Sequence, residues 1–291
     1  MANLKFSGHE TFYCRHFWLK KGFDFLNQDN EFKAQDAVVK LGVGKNMVGS
    51  IGHWLKSFGL TTGHNRHDLT PFSSRMFGKN GFDPFLEDEG SLYLLHYKIV
   101  SSNYASIYNI AFSEFRKNRI SNEFTLDHLV DYFSRKLQKE GASFSPTSVR
   151  NDVKVFLRMY LPNQKRSKKT IEDDFSAILL GLPLLRFGNE NENETEKTYK
   201  FNFDKKEGLP HLIFLHCILD VFGDRTSISF DEIDKAISDV FLCDRVGIES
   251  KLLLLEEKGY LVYKSDAGRK EIQLKEKAEK WEVLNKYYGI A

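Results

Sequence analysis

The stretch DAVVKLGVGKNMVGSIGHWLKSF, Asp36–Phe58, decides how the rest of the chain is read. A helix-turn-helix needs a small residue inside its first helix, a glycine at the turn and apolar residues that lock the second helix. Ala37 is the small residue, and Gly42 follows five residues later, where a left-handed backbone carries no steric cost. Val48, Ile51, Leu55 and Phe58 recur at helical spacing and share one face, with Val43 ahead of them. The outward face is expected to carry Asn46, Gly49, Ser50, His53 and Ser57, flanked by Lys45 and Lys56. Small polar side chains let a helix lie deep in a major groove, and Asn pairs bidentately with adenine. Trp54 shares the buried side with Met47, Ile51 and Phe58, so it is expected in the core rather than stacked on a base.

Outward from this stretch, His16–Leu26 is an aromatic-rich helical segment ended by the polar run Asn27–Asn30. Ala34–Leu41 and Lys45–Phe58 are the paired helices, the second stopped by Gly59. Strand-like pieces at Leu60–Thr62 and Asp68–Pro71 flank Gly63-His64-Asn65-Arg66-His67. That is the pattern of a hairpin wing, whose His64 and Arg66 would reach phosphate or the minor groove. Residues 1–86 therefore predict an N-terminal winged helix-turn-helix. Winged helices also serve as protein–protein modules, and that reading stays beside the first.

Residues 87–162 predict a helical middle domain, with Leu92–Val100, Ala105–Arg116 and Thr125–Lys139 as helices. Ser145-Pro146 then opens a further helix with a serine cap and proline at the first position, and Pro162 ends it. In this helix Val149, Val153, Phe156 and Tyr160 form the buried stripe. Thr147, Asn151, Lys154 and Arg158 fall opposite, with Arg150 beside them, so the last two helices make a helix-turn-helix-like pair with a positive face. The basic run Lys165-Arg166-Ser167-Lys168-Lys169 follows. From Phe133 to Thr170 there are ten Lys/Arg against two Asp/Glu, a local net of +8 on a chain whose overall net charge is only +2. A solvated helix face and a basic loop would look alike in sequence; their coincidence points to phosphate contact.

Residues 163–208 are expected to form a basic, then acidic, irregular linker containing the low-complexity run Asn189–Glu196. Residues 209–291 repeat the opening architecture: helices near Leu209–Phe222, Phe230–Phe241 and Asp244–Lys258, a hairpin of Tyr260–Lys264 with Glu271–Lys275, and a closing helix. In the helix after Asp244, Ile248, Leu252 and Leu255 are the buried positions and Glu249, Glu256 and Glu257 the exposed ones. Acids repel phosphate, so packing or homodimerisation is favoured there, with Arg269 and Lys270 the features against it. The fold class expected is mainly α with small β-hairpin wings: tandem winged helix-turn-helix domains joined by a helical middle region.

A chain of 291 residues suits two or three small domains, and 25 Phe supply their cores. No apolar run reaches the roughly 18 residues that span a bilayer, and the N-terminus lacks the apolar core of a signal peptide. Three cysteines without CxxC spacing argue against a disulfide framework and a zinc site. The expectation is a reduced, cytoplasmic protein with no membrane contact, no metal and no cofactor. Gly42–Asn46 fails as a phosphate loop, because Val39 and Asn46 stand where glycine and Ser/Thr are required. His9, Glu10, Cys14, Arg15 and His16 form a dense cluster of reactive types. It serves either as local hydrogen bonding with a packed cysteine or as the seat of an enzyme activity. His211 and His216, five apart on an apolar helix, do not share a face and are read as core or rim.

The blocks FSGHETF (Phe6–Phe12), Cys14-Arg15, Phe17–Gly22 and DAVVKLGVGKNMV (Asp36–Val48), with Ile51 and Trp54, resemble a bacterial family of unknown function. Ile171–Phe175 and Leu209-Pro210 match its later blocks more weakly. Its members are encoded beside PAPS-reductase-like enzymes in DNA phosphorothioation and phage-defence clusters. The resemblance implies a DNA-associated role and offers no catalytic residues to carry over. The function expected is double-stranded DNA binding, sensing sequence or modification, without catalysis. The residues expected to carry it are Lys45, Asn46, Ser50, His53, Lys56, His64, Arg66, Arg150, Asn151, Lys154, Arg158, Lys165, Arg166, Lys168 and Lys169. The alternatives are an adaptor that holds partner proteins of such a system and, more weakly, an enzyme built on His9, Glu10 and Cys14.

Overall fold

The structure is a computed structural model. It describes residues 4–63, 67–102, 104–118, 121–163, 176–188, 197–223, 225–266, 268–275 and 279–290. It is mainly helical with small antiparallel sheets. The chain divides into two compact units: residues 1–87 with 98–201, and residues 88–97 with 202–291.

The first unit opens with helices α1 (Trp18–Asn27), α2 (Ala37–Leu41) and α3 (Lys45–Ser57). Gly42 ends α2 in the left-handed region at φ 61°, as the turn requires. Phe25, Ala37, Leu41 and Val48 pack together at the junction of the three helices, with Leu26, Phe32 and Val43 at the rim. Ile51, Trp54, Leu55 and Phe58 are buried, as their spacing demands. Strands β1 (Thr61–Thr62) and β2 (Asp68–Leu69) then pair antiparallel. Pro71 does not belong to a strand: Thr70 caps Ser73 N–H and Pro71 begins helix α4 (Pro71–Phe77).

The middle region falls in this same compact unit. Helix α5 (Glu89–Ser101) is shared between the units, its residues from Lys98 falling in the first. α6 (Ser106–Ile110) widens into a π-turn at Ala111–Phe115, followed by β3 (Glu123–Thr125), α7 (Leu126–Lys139) and α8 (Pro146–Tyr160). Aromatic rings tie the N-terminal and middle regions into one core. Trp54 meets Tyr108 at 6.2 Å, Tyr108 meets Phe156 at 5.4 Å, and Phe112 meets Phe201 at 5.9 Å.

The described part of the expected linker is also packed. β4 (Leu185–Phe187) and β5 (Thr198–Phe201) join β3 in an antiparallel sheet of order β3-β5-β4. Ala177 bridges Arg15, Ile178 N–H donates to Cys14 O, and Ile178, Leu179, Leu182 and Leu184 are buried.

In the second unit, the helix His211–Phe222 packs against the C-terminal helix Lys280–Tyr287, where His216 Nδ1 donates to Lys280 O at 2.8 Å. β6 (Ser227–Ser229) leads through a π-widened helical segment into the helix Arg245–Glu257. Then β7 (Leu261–Asp266) and β8 (Arg269–Leu274) form a hairpin. The sheet order is β6-β8-β7, all antiparallel. Two lysines are buried here: Lys206 Nζ holds Asp204 at 2.7 Å, and Lys251 Nζ donates to Lys206 O and Leu209 O. Among the described residues no helix is long and apolar enough to cross a membrane.

Candidate nucleic-acid interface

Among the described residues, the segment Ser7–Thr11 holds the densest run of positive φ angles. Ser7, Glu10 and Thr11 have φ of 63°, 49° and 64°, and Gly8 has 95°. Each such non-glycine residue costs about 1–3 kcal/mol and persists only where its surroundings enforce it. The enforcement comes from α8 and α3. His9 Nδ1 accepts from Thr11 N–H at 3.2 Å, so the ring proton sits on Nε2 and faces Asp152 Oδ1 at 2.8 Å. The other Asp152 oxygen accepts from Ser7 N–H at 2.7 Å, and His9 O accepts from Ser50 Oγ at 3.0 Å. Both ring nitrogens of His9 are thus engaged in holding the loop.

The polar face of α3 is covered from Ser50 onward, while Asn46 and Gly49 at its start stay exposed. Ser50 and Ser57 are fully buried, which corrects their expected outward placement. His53 is half-buried. Its ring meets His9 at 5.7 Å, Trp54 at 5.1 Å and Tyr104 at 5.5 Å. Burial, reinforced by His9, Lys5 and Lys56, pushes the His53 pKa down to about 3, so the ring is neutral at pH 7. A Cβ on Gly8 would stand 2.7 Å from His53 Nδ1. At Ser50 the side chain is small where the His9 carbonyl packs against it, a reason that reads in sequence like a helix shaped for a groove.

The remaining expected contacts fall in three groups. Lys45 and Asn46, at the start of α3, are exposed. On α8, Arg150, Lys154 and Arg158 are exposed and Asn151 is half-buried. Arg150 pairs with Asp127, and the Arg158 guanidinium sits 4.7 Å from the Tyr13 ring centre. Asn151 lines a cleft of about 220 Å³ with Ser7–Thr11, Ser148 and Asp152, so the contorted loop and the cationic helix face are neighbours. Lys56 is half-buried; burial, with repulsion from Lys5 and Lys33, lowers its pKa. Lys5, Lys33 and Lys56 therefore share one positive field. His64, Arg66, Lys165, Arg166, Lys168 and Lys169 lie outside the described residues.

Sequence reasoning missed Asp152. The signal was available: position 152 is three after Val149 and four before Phe156, so an acid stands on a buried stripe, where it needs a partner. Of the readings offered for the N-terminal cluster, the geometry is that of local hydrogen bonding around a packed cysteine. Cys14 is fully buried, and burial raises its thiol pKa well above the ordinary value. Glu10 is exposed and His16 donates from Nε2 to Phe85 O at 2.8 Å. Among the described residues no group of three or more His, Cys, Asp or Glu side chains could hold a metal ion.

In the second unit, Ile248, Leu252 and Leu255 are buried as expected. Glu249 is half-buried and tied to the hairpin: it accepts from Lys270 Nζ at 2.6 Å and Tyr263 OH at 2.9 Å. Glu256 accepts from Tyr263 N–H at 2.8 Å. Val246 and Leu253, seven residues apart on one face of this helix, are 56% and 49% exposed.

Residues 6–288 match the family described as protein of unknown function DUF4007, and the chain belongs to that family. Two crystal structures of SspB are similar to it. One, described as magnesium ion-bound, aligns at a TM-score of 0.84 and 26% identity, over 98% of this chain and 88% of that one. The other aligns at 0.82 and 27% identity with the same coverage. Among curated proteins no sequence matches significantly.

Proposed function

We propose that this DUF4007 protein is a DNA-binding component of a DNA-modification and phage-defence system, sensing the sequence or modification of duplex DNA. The likeness to SspB supports a place in a DNA-modification system. The family resemblance of the FSGHETF segment and the stretch from Asp36 favours phosphorothioation.

The observation that carries the DNA reading is the accumulation of positive charge along the surface of the first unit. Lys5 and Lys33 stand close enough to Lys56 to add to the effect of burial in lowering its pKa. Arg150, Lys154 and Arg158 line the open side of α8 beside the contorted loop. Lys45 and Asn46 project from the start of α3. In this reading the cationic residues hold phosphates and Asn46 reads a base edge. The tandem winged-helix description belongs to the same proposal. The order helix, strand, helix, helix, hairpin of the second unit supports it.

Mobility shifts at several salt concentrations test it. Lys45→Glu and Arg158→Glu are expected to weaken duplex binding, each flattening the salt slope by about 0.9. Unchanged affinity in both would sink the idea. Parallel shifts on phosphorothioated and plain duplex separate modification sensing from sequence reading.

A second reading, an adaptor or homodimer contact through the second unit, is favoured by one observation. Val246 and Leu253 leave apolar surface open on the helix whose Glu249 and Glu256 are tied to the hairpin. Light scattering on the wild type and on Val246→Asp/Leu253→Asp tests it; a monomer in both counts against the homodimer.

A further inference from the structure

Two phenylalanines in the first unit are held out of the core and line one cleft. Phe17, just before α1, is 62% exposed, and Phe85 is 57% exposed. The other described phenylalanines of this unit are buried or half-buried. Their exposure is built into the chain. Leu86 takes a positive φ of 56° and buries its side chain, which turns Phe85 outward. Asp83 Oδ1 accepts from Glu87 N–H at 3.0 Å and closes that loop. His16 joins the two: its Nε2 donates to Phe85 O, and its ring meets the Phe17 ring edge-on at 5.0 Å.

The cleft they line has a volume of about 580 Å³. Its rim is basic. Lys20 and Lys21 follow Phe17 at positions three and four on the same face of α1, and Lys40 comes from α2. Asp24 is the acid in the lining and is taken by Lys20. Lys21 Nζ donates to the neutral Leu41 carbonyl, and Lys40 Nζ donates to Asn30 Oδ1 at 2.7 Å and pairs with Asp36 at 2.8 Å. Each ammonium carries three donors, so these contacts leave donors for phosphate.

We propose that this cleft holds unpaired nucleotides of a DNA strand, with bases stacked on Phe17 and Phe85 and phosphates against Lys20, Lys21 and Lys40. The proposal rests on the DNA reading above and extends it to a second form of DNA. A duplex shows its base faces only at its ends, so exposed rings gain from it little that unstacked bases would give. A protein partner fits less well, because lysine is depleted from the cores of protein interfaces.

Fluorescence anisotropy with a labelled oligothymidylate of about 12 nucleotides, and with a duplex of equal length, tests it on the full chain. Phe17→Ala/Phe85→Ala is expected to weaken single-strand binding at least about tenfold and leave duplex binding within about twofold. Phe17→Leu/Phe85→Leu keeps the apolar bulk without a flat ring and is expected to weaken it likewise. Wild-type single-strand affinity in both variants overturns the proposal, as does a wild-type protein that binds duplex alone. Failure of the duplex arm with the single-strand result intact overturns the earlier reading and leaves this one standing.

Discussion

His9 Nε2 lies 2.8 Å from Asp152 Oδ1, and Ser7 N–H takes the other oxygen of the same carboxylate at 2.7 Å. Asp152 thus fastens a loop that the backbone would not adopt unaided. Asp152→Ala strands a buried imidazole N–H and a backbone N–H, and is expected to cost about 2–4 kcal/mol. Urea unfolding measures it; a loss below about 0.5 kcal/mol would show that the loop is held elsewhere.

Gly8 answers a different constraint. Its φ of 95° and the nearby His53 ring both exclude a side chain. Gly8→Ala is expected to destabilise by more than about 1 kcal/mol. In a double-mutant cycle His53→Ala should recover part of that loss, because it removes the collision and leaves the backbone strain. Strict additivity would deny the contact.

Acid should weaken the fold before carboxylates begin to titrate. Burial is the leading cause that lowers His53 to about 3 and His67 and His96 to about 4, against 6.5 for the free side chain. Between those values the unfolded chain binds more protons than the native one, so stability rises with pH and is lost as pH falls from 6.5. Each such histidine contributes at most about 1.4 kcal/mol per pH unit in that window. Urea midpoints at pH 7, 6 and 5 should fall in that order, and His96→Gln should make the decline shallower. A flat profile would place these rings in water.

The described thiols of Cys14, Cys217 and Cys243 are all buried, and burial raises the pKa of Cys14 and takes Cys243 up to about 12. None should react with a disulfide reagent in the native protein, and all three should react in denaturant. Fast native labelling of one cysteine would revive the nucleophile reading of the N-terminal cluster.

The helices and their buried stripes were legible because periodicity reports directly on which side meets a core. Val48, Ile51, Leu55 and Phe58, and likewise Val149, Val153, Phe156 and Tyr160, stand where their spacing put them. The polar positions were less legible. Ser50, His53 and Ser57 look outward in a helical projection, yet the Ser7–Thr11 loop and Ser102 occupy that side. A projection cannot show a second wall supplied from elsewhere in the chain. The β3-β5-β4 sheet was hidden for the same reason: its strands are three or four residues long and its pairing joins Glu123–Thr125 to residues near 200. Asp152 was legible as an acid on an apolar stripe, but its partner, far back at His9, was not.

The fastening of the Ser7–Thr11 loop also sets an order of events during synthesis. The ribosome releases the FSGHE segment and α3 long before it reaches Asp152 on α8. Until then Ser50 and His53 have no settled loop above them. A fragment ended after residue 87 would lack Asp152, Tyr108 and Phe156, all part of the same compact unit. The segment from α2 to α3 is therefore not a transplantable cassette: moving it into another protein means carrying residues 98–201 with it.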